Sequence, residues 1–235
     1  MNKQKIIKNI SIRIPPQEVF RYLGYKKGSI AHIDSDIKMM IHNAINRVNV
    51  VMASQAIYQK IAIQSINENG EIYLEQDHYF LFNQQKVVQL KNIQYLLFAV
   101  VTIGKEADNL IKSAFNEHDY FYAVVMDAAG TVAVKTVGQW LSHYFSKHLL
   151  SNSFQLSRVF GPGSGDWAIS EQQTLFQILR PEQIGVYLNS SCMMSPAKSL
   201  SWIQGMGCNL LSKMPEDFSC KNCLLENCQF RKNEA

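Results

Sequence analysis

The chain has 235 residues, of which 47% are apolar and 18% charged, a balance that excludes a disordered or collagen-like polymer. At this length one domain buries roughly 70–75% of the surface its unfolded form exposes, so a core forms without disulfide staples. The 23 basic side chains outnumber the 19 acidic ones slightly and are scattered, too weak and diffuse a field to argue for nucleic acid.

The N-terminal segment is basic but lacks the apolar run of a secretory signal, and no stretch approaches the ~18 apolar residues of a membrane span. A cytoplasmic protein is therefore expected. Most aromatic residues lie among Leu, Ile and Val at core-like spacing.

Residues 5–14 alternate loosely and stop at Pro15-Pro16, which suits a strand leading into a helix with proline in its first turn. The segment from Gln17 to Gly24 reads as a short helix closed by glycine. Ile37, Met40, Ile41, Ala44, Ile45 and Val48 follow the spacing of an amphipathic helix, after which the chain turns into a strand. Asn67-Glu-Asn-Gly70 is a turn signal between two β-like runs, 61–66 and 71–76, and predicts a hairpin. The apolar run 95–103 predicts a buried strand ending at Gly104.

Ala107, Leu110, Ile111, Ala114 and Phe115 mark a helix, and a long one is expected from about Tyr120 to Leu150. On the long helix Val125, Ala129, Val132, Thr136 and Trp140 share a side, and Gly130 and Gly138 permit close approach of a neighbour. Gly161-Pro-Gly-Ser-Gly165 is a glycine-rich loop. Ser170 to Leu179 reads as a capped helix ending before Pro181. Residues 185–206 predict two strands joined by a loop at 193–198.

Four of the five cysteines lie at the C-terminal end, as Cys208, Cys220, Cys223 and Cys228. In a reducing compartment this crowding points to metal ligation rather than disulfides. A Cys-x2-Cys pair places two thiolates on one cation, and two more close a tetrahedral site. Zinc and an iron–sulfur cluster both fit, the uneven spacing suiting a cluster somewhat better. Unligated surface thiols are the plainer alternative.

The glycine loop lets backbone amides approach an anionic or zwitterionic ligand, with Arg158 supplying a fork for a carboxylate. It matches neither the phosphate-loop nor the dinucleotide fingerprint, and such a loop alone is more often a turn than a site. Ser195-Pro-Ala-Lys198 has the Ser-x-x-Lys spacing of an acyltransferase nucleophile but lacks that family's other motifs. No His-Glu-x-x-His and no Asp-x-His-x-x-Gly occurs, so permanent corrinoid binding is not expected. Cys192 reads as a buried, inert thiol.

Five blocks together resemble the activation domain of cobalamin-dependent methionine synthase, in its stand-alone anaerobe-type form. They are Val19-Phe-Arg-Tyr-Leu-Gly-Tyr25, Val101-Thr-Ile-Gly-Lys-Glu106, Asp127-Ala-Ala-Gly-Thr-Val-Ala-Val134, Gly163-Ser-Gly-Asp-Trp-Ala-Ile-Ser-Glu-Gln172 and Met193-Met-Ser-Pro-Ala-Lys-Ser-Leu-Ser201. They stand in the family's order. The resemblance implies an α/β (α+β) fold, a twisted antiparallel sheet with flanking helices, over residues 1–207, followed by a cysteine-rich tail, 208–235. It further implies binding of S-adenosylmethionine and docking onto a corrinoid-carrying partner, either methionine synthase or another corrinoid protein. The implied chemistry is reductive methylation of that partner's cobalamin, the electron coming from a donor such as flavodoxin or ferredoxin. No catalytic acid or base is implied.

By the same resemblance Arg158, Gly161, Pro162, Gly163, Ser164 and Gly165 are the S-adenosylmethionine-binding candidates. Three positions depart from the family pattern. Ser164 stands where tyrosine is usual, Lys135 where a glutamate is common, and Gln204 where tyrosine can occur. The second reading, which these departures favour, is a non-catalytic adaptor that docks on a corrinoid protein without binding S-adenosylmethionine.

Overall fold

Alternation of side chains on the two faces of one sheet organises the chain. The computed structural model describes residues 4–25, 27–75, 79–81, 91–150, 153–164 and 167–210. Its strands are β1 (Lys5–Lys8), β2 (Gln55–Ile66), β3 (Glu71–Leu74), β4 (Tyr79–Leu81), β5 (Ile93–Thr102), β6 (Gln155–Phe160), β7 (Tyr187–Leu188), β8 (Met194–Ser195) and β9 (Ser199–Gly207). Its α-helices are α1 (Pro16–Tyr22), α2 (Ser35–Val51), α3 (Lys105–Asn116), α4 (Tyr120–His148) and α5 (Glu171–Leu179). Seven strands form one antiparallel sheet in the order β4-β3-β2-β5-β9-β6, with β1 paired to the first half of β2. β7 and β8 pair separately.

Successive residues of β5 serve opposite faces, as the period of two requires. Leu97, Ala99 and Val101 join Ala56, Tyr58, Trp202 and Met206 under α1 to α4. Leu96, Phe98 and Val100 join Ile57, Ile61, Phe160 and Ile203 under α5, where Leu175, Phe176 and Leu179 meet them. Both faces of β5 are therefore buried, which explains its unbroken apolar run.

The helices begin where side-chain oxygens relieve unpaired N–H groups. Asp34 accepts from the N–H of Asp36 at 2.7 Å, and Asp119 from that of Tyr122 at 3.2 Å. The turn between β2 and β3 is held by Asn67, whose Oδ1 accepts from the N–H groups of Asn69 and Glu71, both at 3.0 Å. α4 alone among the described helices is long and apolar enough to cross a membrane, but 61% of that apolar window is buried inside the protein. Its small residues serve packing. A Cβ on Gly130 would stand 3.0 Å from Ile111 Cδ1, and one on Gly138 3.6 Å from Leu200 Cδ1.

The expected helices and the hairpin are present, and four details differ. The first strand ends at Lys8, well before the prolines. β6 is a strand that the alternation of its residues does not announce. Ser170 lies in helical backbone conformation and makes no side-chain cap; α5 is entered instead through a turn in which the N–H groups of Glu171 and Gln172 reach the carbonyls of Ala168 and Ile169 at 3.2 and 3.0 Å. The first of the two strands expected within 185–206 is only the two-residue β7, and it pairs with β8 rather than β9.

Candidate functional site

Among the described strands β6 is the edge of the sheet beside β9, and its register shifts between Leu156 and Val159. Such a bulge bends the strand and re-aims a side chain. Two side chains replace the interrupted ladder: Ser157 Oγ accepts the Gly205 N–H at 2.8 Å, and Gln204 Nε2 donates to the Ser157 carbonyl at 2.8 Å. Gln204 is wholly buried, so it braces the bulge. Half-buried Arg158 follows, its guanidinium 5.1 Å above the Phe160 ring.

Beyond Phe160 the glycine loop closes on itself. The Gly163 N–H donates to the Trp167 carbonyl at 2.9 Å, and the Ser164 N–H to the Gly161 carbonyl at 3.0 Å. Gly163 has a φ of +80°, and a Cβ there would come within 2.9 Å of Ile169 Cδ1. A Cβ on Gly161 would come within 3.3 Å of the Ser201 carbonyl. Both glycines thus answer to packing within the chain. The amides of Gly163 and Ser164, two of the donors expected to face a ligand, already have partners.

The structure brings Arg158, Gly161, Pro162, Gly163 and Ser164 together in one turn at the end of β6; Gly165 lies outside the described residues. Half-buried Cys208 directly follows β9. Cys220, Cys223 and Cys228 lie outside the described residues, among which no group of three or more His, Cys, Asp or Glu side chains is placed to hold a metal. Gly207 pairs with Gln155 at the start of β6, so Cys208 and the glycine loop stand at opposite ends of that strand pair.

Lys198 donates to Asp127 Oδ1 at 2.7 Å and to Thr131 Oγ1 at 3.0 Å. The Lys198 side chain is thus turned to α4 and bonded there. Lys135 donates to the Tyr22 hydroxyl and lies 4.7 Å from the centre of its ring, tying α4 to α1. Cys192 is buried, as expected, and its Sγ accepts from Gln173 Nε2 at 3.3 Å. Burial, reinforced by the neighbouring Tyr144 hydroxyl, pushes the Tyr58 phenol well above its usual range.

Two buried polar residues escaped the sequence reading. Asp108, in the first turn of α3, accepts from the N–H groups of Ala197 and Lys198 at 2.7 and 3.2 Å and so pins the approach to β9. Gln172 looked like an ordinary polar position at the start of α5, yet it is 3% exposed and bonded to Ser201. An acid or amide at a helix N-terminus gives no sequence signal that separates capping or solvation from a tertiary bond.

No protein-family model and no curated protein matches the chain. Among solved structures it is similar to the one described as the crystal structure of the MetH reactivation domain bound to AdoHcy. The TM-score is 0.65 at 13% identity, covering 91% of this chain and 81% of that one. The likeness establishes the fold. The antiparallel sheet with flanking helices is the architecture it shares with that domain.

Proposed function

We propose that the chain binds S-adenosylmethionine at the turn after β6 and serves reductive methylation of a corrinoid held by a separate protein, methionine synthase or another corrinoid protein. The observation that carries this reading is Arg158, which lies within the β6 bulge next to the glycine loop, in a fold shared with a domain solved with AdoHcy.

The residues fit such a ligand in outline. A guanidinium offers two parallel N–H donors to an amino-acid carboxylate, and Gly161-Pro162-Gly163 carries no large side chain to hold a ligand off the backbone. When bound, S-adenosylmethionine supplies an electrophilic methyl group. The chain's own part is orientation and exclusion of water rather than proton transfer; no side chain is assigned as acid or base. Flavodoxin, ferredoxin or a similar cytoplasmic donor would deliver the electron. Cys208, Cys220, Cys223 and Cys228 form an all-thiolate donor set suited to zinc or an iron–sulfur cluster, and they are assigned as that metal's ligands.

Titration calorimetry with S-adenosylmethionine tests the reading. The unaltered protein is expected to bind, and Arg158→Ala to bind at least about tenfold more weakly, the scale of a lost charge-assisted pair. Absence of binding, with and without a corrinoid protein, overturns it.

A second reading, an adaptor that docks on a corrinoid protein without binding S-adenosylmethionine, draws on three observations. The Gly163 and Ser164 amides are occupied within the loop, Gln204 is buried behind the bulge, and Lys135 is engaged with Tyr22. Co-purification with a corrinoid protein, without heat from S-adenosylmethionine, would select it.

A further inference from the structure

Two residues back the glycine loop, and one residue bonds to both, to the first through its side chain and to the second through its backbone. Ser201 presents its carbonyl to Gly161, and Ile169 presents its side chain to Gly163. Gln172 reaches each of them. Its Oε1 accepts the Ser201 hydroxyl at 2.7 Å, and its backbone N–H donates to the Ile169 carbonyl at 3.0 Å. The other end of its amide, Nε2, lies 3.5 Å from the Cys192 carbonyl, while adjacent Gln173 donates to Cys192 Sγ. We infer that Gln172 is a positioning residue: it fixes the distance between α5 and β9 and thereby the stance of the loop beside Arg158. The inference rests on the reading of that loop as the ligand-binding turn.

The physical ground is burial. Gln172 is 3% exposed and belongs to the buried set of α5 with Leu175, Phe176 and Leu179, where an amide without partners is costly. A leucine would fill the same space without that demand. Retaining an amide buys directionality, because its two ends bond only at one separation of α5 from β9 and from residues 189–193. Loss of the Ser201 bond frees the strand residue behind Gly161. Loss of the amide also removes the Nε2 contact to the Cys192 carbonyl, while Gln173 and Asn189 still hold that residue.

The experiment compares the unaltered protein with Gln172→Leu, Ser201→Ala and Ser201→Thr, by hydrogen exchange of the peptide spanning 159–170 and by S-adenosylmethionine titration. In Gln172→Leu and Ser201→Ala, exchange in that peptide is expected to rise about tenfold while the sheet peptides stay protected, and ligand affinity to fall about tenfold. Ser201→Thr keeps the hydroxyl and restores both. Unchanged exchange in the loop, or a rise spread through the whole chain, overturns the inference. If the loop loosens as described but the unaltered protein binds no S-adenosylmethionine, the positioning role stands and the methyl-donor reading falls. If the unaltered protein and all three variants bind equally with unchanged exchange, the positioning role falls and the methyl-donor reading stands.

Discussion

The Lys198 ammonium stands 2.7 Å from the Asp127 carboxylate, bridging the approach to β9 and the N-terminal third of the long helix. The lysine side chain is 13% exposed and the aspartate 47%, so the pair is screened from one side only. Asp127→Asn leaves a half-buried cation with a neutral partner. Screening of the exposed carboxylate reduces the cost from that of a buried pair, and a loss of about 1 kcal/mol is expected. Urea unfolding at neutral pH measures it, and the loss should shrink in high salt.

Gly138 and Gly130 lie on the same helix and should respond differently to alanine. At Gly138 the new methyl meets neighbours at 3.6–3.7 Å, ordinary contact, whereas at Gly130 it meets Ile111 at 3.0 Å and Lys198 at 3.3 Å. Gly138→Ala is expected to stabilise by about 0.5–1 kcal/mol through helix propensity and added contact. In Gly130→Ala the same gain is offset by displacement of Ile111 and Lys198, so its unfolding midpoint should fall below that of Gly138→Ala. Thermal and urea unfolding of the two variants decide this.

Tyr58 makes stability depend on alkaline pH. Its phenol is held neutral by burial and by Tyr144, so the folded state keeps a proton that the unfolded chain releases above about pH 10. The contribution is complete below pH 10 and is lost as pH rises toward the folded value, by up to ~1.4 kcal/mol per pH unit for one proton. Unfolding free energies measured from pH 9 to 11 should fall less steeply for Tyr58→Phe than for the unaltered protein.

Metal content tests the assignment of the cysteine tail. Anaerobically purified protein is expected to carry either a brown iron–sulfur chromophore or one equivalent of zinc, and Cys208→Ser to lose most of it. Elemental analysis reads the result, and a metal-free, colourless preparation of the unaltered protein would remove the assignment. A colourless protein containing zinc would keep the site and identify its metal as zinc.

Much of the architecture was legible because periodicity is a direct record of burial. The stripe from Ile37 to Val48 and the small residues at 130 and 138 pointed correctly to buried helix faces. Asn67 and Gly70 marked the hairpin because their turn chemistry is local. β6 escaped for the opposite reason: its bulge at Ser157 and Arg158 breaks the two-residue alternation, and Gln204, on a distant strand, supplies the missing bonds. The candidate loop was visible from its glycines, but its meaning was not. Those glycines fit Ser201 and Ile169, contacts no local pattern announces. Asp108 and Gln172 were hidden likewise, since polar residues beginning a helix usually face water.

The length of β9 has a mechanical consequence. From Ser201, behind the glycine turn, to Cys208 the extended chain covers about 23 Å at ~3.3 Å per residue. A metal on the Cys208 thiolate would sit within ~2.3 Å of its sulfur, and so would be remote from a molecule held at Arg158. Under the proposed assignments the two ends of this one strand would therefore be separate contacts, and a substitution at one should leave the other unperturbed.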